Sequence, residues 1–158
     1  MSRTRWEEYS KAGPATPEQI ARVEARVGHT FPEDFKRALR EHQGMIPRPN
    51  GLRLRPDRPR KGFGALGHCV EGKSGNIART WELMRAWVDD PYPSWLVPIS
   101  TAKGQAHFAL DFRASEDSPT VVYVNPDLSS DAPGFITPVA SSFTDLLEMM
   151  ESDPSLDR

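Results

Sequence analysis

Apolar and polar positions alternate along residues 106–113: Ala106, Phe108, Leu110 and Phe112 fall on one side, His107, Ala109, Asp111 and Arg113 on the other. A period of two marks a β-strand with one buried face. Just upstream, Trp95-Leu-Val-Pro-Ile-Ser100 is an apolar run too short for a helix. Between the two, Thr101–Gln105 is polar and carries Gly104, the residue a tight hairpin loop needs for positive φ. Residues 95–112 therefore predict a hairpin. Pro98 cannot donate to a ladder, which places the first strand at an edge or at a bulge. Thr120–Val124 predicts a third strand and Phe135–Val139 a fourth. A sheet with one apolar face needs a cover, and helical periodicity elsewhere supplies it.

Thr16-Pro17-Glu18-Gln19 reads as a helix start: an N-cap, a proline at the first helical position and the glutamine of a capping box. Ile20, Val23 and Val27 recur on one side, and Gly28 ends the helix. Phe31-Pro32-Glu33-Asp34 opens a second helix, with Pro32 at the first helical position and two carboxylates at the positive end of the dipole. Its inner stripe is Phe35, Ala38, Leu39 and His42, and Gly44 closes it. Residues 76–89 return to helical spacing, with Ile77, Trp81, Met84 and Val88 inward and Trp87 beside them. A last helix starts at Ser141-Ser142 and buries Phe143, Leu146, Leu147 and Met150. Residues 45–73 are irregular and rich in Pro, Gly and Arg, with Leu52–Arg55 as a short edge strand guarded by its arginines.

The expected fold is a single α+β domain over residues 16–151. A mainly antiparallel sheet of about four to six strands is covered by two N-terminal helices, a middle helix and a C-terminal helix. A polar lead-in, 1–15, precedes it, with Trp6 and Tyr9 available as anchors, and a tail, 152–158, follows. At 158 residues the chain can bury a core without staples. No apolar run is long enough to span a membrane, and the N-terminus lacks the apolar core of a signal peptide. The single cysteine, Cys69, fits a reducing cytoplasm.

The net charge of −2 conceals an asymmetry: residues 1–79 carry +7 and residues 80–158 carry −9. The acidic half places Asp89, Asp90, Glu116, Asp117, Asp127 and Asp131 in loops around the sheet, where they could steer a basic partner. In the basic half, Arg48, Arg53, Arg55, Arg58, Arg60 and Lys61 could meet phosphates. Only Phe63 is near them to stack on a base, so direct nucleic-acid binding is not expected.

Gly67-His-Cys-Val-Glu-Gly72-Lys73-Ser74 fits the P-loop expression, and Phe108–Asp111 could pose as its metal-binding strand. A P-loop needs a buried strand running directly into it, and Arg60–Leu66 is no such strand. Gly62–Gly67 also fits the dinucleotide fingerprint and fails the same test. His29, His42, His68 and His107 are scattered and show no zinc-ligand spacing. His68 beside Cys69 is no nucleophile pair, because such groups must face one another. No cofactor, metal or catalytic set is expected.

Four pieces taken in order resemble the SUKH superfamily, which includes bacterial immunity proteins and a fungal cell-wall-synthesis regulator. They are Ile20–Gly28, Phe31-Pro-Glu-Asp-Phe35 with Gln43-Gly44, Trp95-Leu-Val-Pro-Ile99 with Gly104 and Leu110-Asp111, and Ser142-Phe143 with Leu146-Leu147. The second helix of the superfamily usually closes on Asn-Gly, where this chain has Gln43-Gly44. The resemblance implies a non-enzymatic α+β domain that binds a cognate polymorphic toxin, many of which are nucleases, through the toxin's C-terminal domain. A regulatory interaction module without a toxin partner is the alternative it also implies. Charge adds a further expectation: an acidic face suits a basic nuclease cleft, which makes the six acidic residues the candidate toxin contacts.

Overall fold

The computed structural model describes residues 4–100 and 106–156. The elements run β1 (Arg5–Glu7), α1 (Pro17–Val27), α2 (Glu33–His42), β2 (Ile46–Arg48), β3 (Gly51–Leu52), β4 (Lys61–Gly62), α3 (Ile77–Arg85), β5 (Leu96–Pro98), β6 (His107–Asp111), β7 (Thr120–Val124), β8 (Ile136–Ala140) and α4 (Phe143–Met149). The mixed α+β class is as the sequence predicts. The main sheet is antiparallel with the order β5-β6-β7-β8, and β1-β2 and β3-β4 form two small ribbons. Leu96 lies opposite Asp111 and Pro98 opposite Ala109, so the two strands pair antiparallel as predicted and Pro98 sits on the outer strand. The turn at Thr101–Gln105 lies outside the described residues.

Local chemistry sets the helix starts. The Thr16 hydroxyl accepts from the Gln19 amide at 3.1 Å, and the Gln19 side chain accepts from the Thr16 amide at 3.1 Å. This closed capping box satisfies two of the helix's orphan donors. Pro32 stands at the N-cap of α2, one position earlier than the sequence suggests, and Glu33 and Asp34 fill the first turn. Ser142 caps α4 by accepting from the Asp145 amide. The turn after α2 depends on Gly44, whose φ is +76°; a Cβ there would stand 1.8 Å from Ser10 Oγ.

The sheet is buried on both faces, where the alternation predicts one. Phe108, Leu110, Phe112, Val121 and Tyr123 join Ile20, Val23, Phe35, Leu39, Phe143 and Leu146 in the large core beneath the helices. Ala109, Leu96, Val122 and Val124 face the other way, into a smaller cluster closed by Tyr92 and Phe135. All five residues of β6 are therefore buried, His107 and Asp111 included. His107 Nε2 meets the Tyr92 hydroxyl at 2.8 Å, and Asp111 accepts from the Arg113 guanidinium at 2.7 Å. Both polar side chains thus keep partners away from water, as burial requires.

Three further segments depart from the sequence pattern. Residues 5–7 of the lead-in pair with β2, and Trp6 stacks on His42 at 4.6 Å, while Tyr9 stays 66% exposed. The predicted strand at Leu52–Arg55 shifts to Gly51–Leu52, which leaves Arg53 and Arg55 in the following turn. Helix α3 stops at Arg85 rather than running to Asp89, so Trp87 and Val88 lie outside it and outside the core.

Candidate protein-interaction face

The early end of α3 creates the site. The Tyr92 amide donates to the Met84 carbonyl at 3.1 Å, and the Arg85 guanidinium donates to the Tyr92 carbonyl at 2.6 Å. These bonds fold residues 86–92 back onto the helix end as a tight turn. Val88 stands at 92% exposure on that turn, and Trp87, edge-on to Tyr92, at 39%.

A second segment meets it. Residues 125–135 form a loop closed at its base by the Asn125 amide on the Phe135 carbonyl, 2.8 Å. Internal bonds from Leu128 to Asn125 and from Ala132 to Ser129 hold its shape. The two segments are latched together: Asp90 accepts from the Ser130 amide at 2.7 Å and from the Ser130 hydroxyl at 2.6 Å. These two bonds hold the Asp90 carboxyl below the usual carboxylate range, so it is ionised at neutral pH. Between the segments runs a groove of about 460 Å³, floored by Tyr92 and Phe135 and edged by Trp87, Val88 and Leu128.

The six acidic candidates divide. Asp89, Asp90, Asp127 and Asp131 come from the two segments that form this groove. Glu116 and Asp117 lie in the β6–β7 turn, at the opposite end of the five-residue strand β7. Glu116 is also engaged there, 2.9 Å from His29 Nδ1, while His29 Nε2 meets the Ser94 carbonyl at 2.8 Å. Trp87, Val88 and Leu128 were not among the sequence candidates. Their helical or loop spacing gives no sign of exposure, and Asp90-Pro91 marks the helix end several residues too late.

The glycine-rich loop does not form a phosphate cradle. Gly67 donates its amide to the Ile99 carbonyl, and the Ile99 amide donates to the Phe108 carbonyl, so the loop lies at the start of β6. Asp111 lies at that strand's far end, about 10 Å along it. The centre of the loop is filled by His68, which is 2% exposed. Its Nδ1 accepts from the Val70 amide at 3.1 Å, and its Nε2 donates to the Ser74 carbonyl at 2.7 Å. The neighbouring amides of His68, Lys73, Asn76 and Ile77 are spent on loop carbonyls. Next to it, burial pushes the Cys69 thiol up to about 12, which keeps it protonated and unreactive at neutral pH.

This arrangement uses neutral His68, and burial lowers its proton affinity below that of a free histidine, ordinarily 6.5. The unfolded chain then binds more protons than the folded one as pH falls below that value. The loop's contribution to stability is therefore complete above about pH 6.5 and is lost as pH drops through the lowered value. His42, lowered by burial against Trp6, acts in the same direction. The unfolding free energy from urea titrations should fall between pH 7.5 and 5.5, by no more than about 1.4 kcal/mol per pH unit for each group. His68→Gln should flatten the profile, and an unchanged slope would remove His68 as its source.

Half of the basic stretch is occupied internally. Arg48 pairs with Glu7 at 3.1 Å, Arg60 with Glu151 at 3.2 Å, and Arg53 donates to backbone carbonyls of its own loop. Among the described residues no group of three or more His, Cys, Asp or Glu side chains is placed to hold a metal ion. Among them, too, no helix is long and apolar enough to cross a membrane.

The fold is that of a small α+β domain with a groove built from loops on the outer face of its sheet. The chain belongs to the SMI1/KNR4 family (SUKH-1), whose family model matches residues 14–149. Comparison with curated proteins finds no match.

Proposed function

We propose that this chain is an immunity protein that neutralises a cognate toxin domain in the cytoplasm by binding it, with no chemistry of its own. Membership of the SUKH-1 family supports a protein-binding role. The observation that carries the choice of surface is one preformed groove lined by Asp89 and Asp90, whose second wall, the 125–135 loop, also carries Asp127 and Asp131. Concentrated negative charge accelerates encounter with a basic surface and disfavours wrong partners. A nuclease cleft is basic because it holds phosphates, so a nuclease toxin is the partner this face suits best.

The test is calorimetric titration against the C-terminal domain of the large protein encoded immediately upstream, together with rescue of cells that express that domain. Nanomolar affinity with rescue is the expected result. Absence of binding would replace this reading with that of a regulatory interaction module serving a different protein.

A further inference from the structure

We propose that the groove between residues 86–92 and the 125–135 loop anchors a short apolar segment of the partner that is flanked by lysine or arginine. The proposal rests on the binding role above and specifies the chemistry of the partner at that site.

Exposure supports the apolar half. Six large hydrophobic side chains stand exposed among the described residues, and three of them, Trp87, Val88 and Leu128, edge this one groove from two separate segments. Large apolar side chains gathered at a concavity mark an interaction site, whereas scattered ones do not. The groove's volume lies within the range of sites that enclose several side chains. Its floor is fixed: Tyr92 is 1% exposed and bonded to His107, and Phe135 is 4% exposed. The Asp90–Ser130 latch fixes the walls, so little ordering remains to be done on binding.

Charge supports the basic half. Neither 86–92 nor 125–135 contains a lysine or arginine, while four aspartates come from them. The nearby guanidinium of Arg85 is committed to the Tyr92 carbonyl and lies over the Trp81 ring at 5.8 Å. An anionic occupant such as nucleic acid or an acidic lipid surface would be repelled. An occupant with lysine or arginine on either side of an apolar pair would satisfy rim and floor together, the arrangement of an anchor within a polar ring.

The probe is a hexapeptide, Lys-Arg-Leu-Phe-Arg-Lys, titrated into the 15N-labelled full chain, with Glu-Asp-Leu-Phe-Asp-Glu as its charge-inverted counterpart. The expected result is salt-sensitive perturbation of the Trp87 indole N–H and of the Val88 and Leu128 amides by the basic peptide alone. Val88→Ser combined with Leu128→Ser, two exposed positions that leave the fold intact, should weaken that response at least roughly tenfold. No perturbation of the groove at millimolar peptide, an equal response to the acidic peptide, or shifts confined to another face would overturn the proposal. So would concentration-dependent self-association abolished by the same double variant, which would make a second copy the occupant. The same variant separates this proposal from the function. If the toxin domain binds the double variant as tightly as the parent, the groove is wrong and the immunity reading stands. If the peptide binds and the toxin domain does not, the groove stands and that reading falls.

Discussion

Replacing Phe108 with alanine is expected to lower the unfolding free energy by about 3–5 kcal/mol, the usual cost of truncating a fully buried aromatic ring. Phe108 has no exposed surface and lies at the centre of the large core. Its ring stacks on Phe63 at 5.4 Å and meets Tyr123 edge-on at 5.0 Å, so truncation removes contacts on two sides at once. The surrounding helices and strands are tied to one another and can relax only partly into the void. Such a loss is comparable to the whole stability of many domains of this size. Urea denaturation of Phe108→Ala beside Leu83→Ala provides the measurement. Leu83 is 58% exposed and should change stability by no more than about 0.5 kcal/mol. A Phe108→Ala loss below about 1 kcal/mol would contradict its central place.

Reversing two charges at the groove should have the largest effect on recognition. Asp127→Lys with Asp131→Lys is expected to weaken toxin-domain binding roughly 10–100-fold at low salt, mainly through slower association. The effect should shrink as ionic strength rises, because exposed charges are screened over about 10 Å at 0.1 M salt. Both aspartates are exposed and the Asp90–Ser130 latch uses other groups; the one side-chain bond at stake is that of Asp131 with the Ser129 hydroxyl in the same loop. The matched control is Glu116→Lys with Asp117→Lys, at the far end of β7, which should leave affinity unchanged. Stopped-flow association rates at two salt concentrations decide the matter. Equal affinity for the Asp127/Asp131 variant and the parent would take those residues out of the interface, and a loss confined to the Glu116/Asp117 variant would move it to the other end of the sheet.

What could be read from the sequence was decided within a few residues. Thr16 and Gln19 form their capping box because both partners lie in the same turn. Val121–Val124 reads as a strand because β-branched side chains suit its extended backbone. The features that escaped were decided at long range. Trp87 and Val88 continue the helical period of α3, but the chain leaves the helix when Tyr92 takes the Met84 carbonyl. Ala109 looks like a residue of a solvent face until Tyr92 and Phe135 arrive to cover it. Arg5-Trp6-Glu7 is too short to show any period, and only its pairing with residues 46–48, some forty positions away, makes it a strand. The candidate site followed the same rule. Its aspartates were visible in the charge pattern, whereas their grouping into four and two depended on where β7 placed its ends.

The sheet divides the interior into two compartments, with α1, α2 and α4 packed on one, and the groove seated over the other, which Trp81 and Met84 of α3 help to enclose. Residues 87, 88 and 128 edge the groove, 127 and 131 lie on the same loop as 128, and none of the five belongs to the larger compartment. On the proposed function, specificity and foldability are thereby carried by different positions. The rim can then be rewritten one residue at a time while the scaffold beneath keeps its stability.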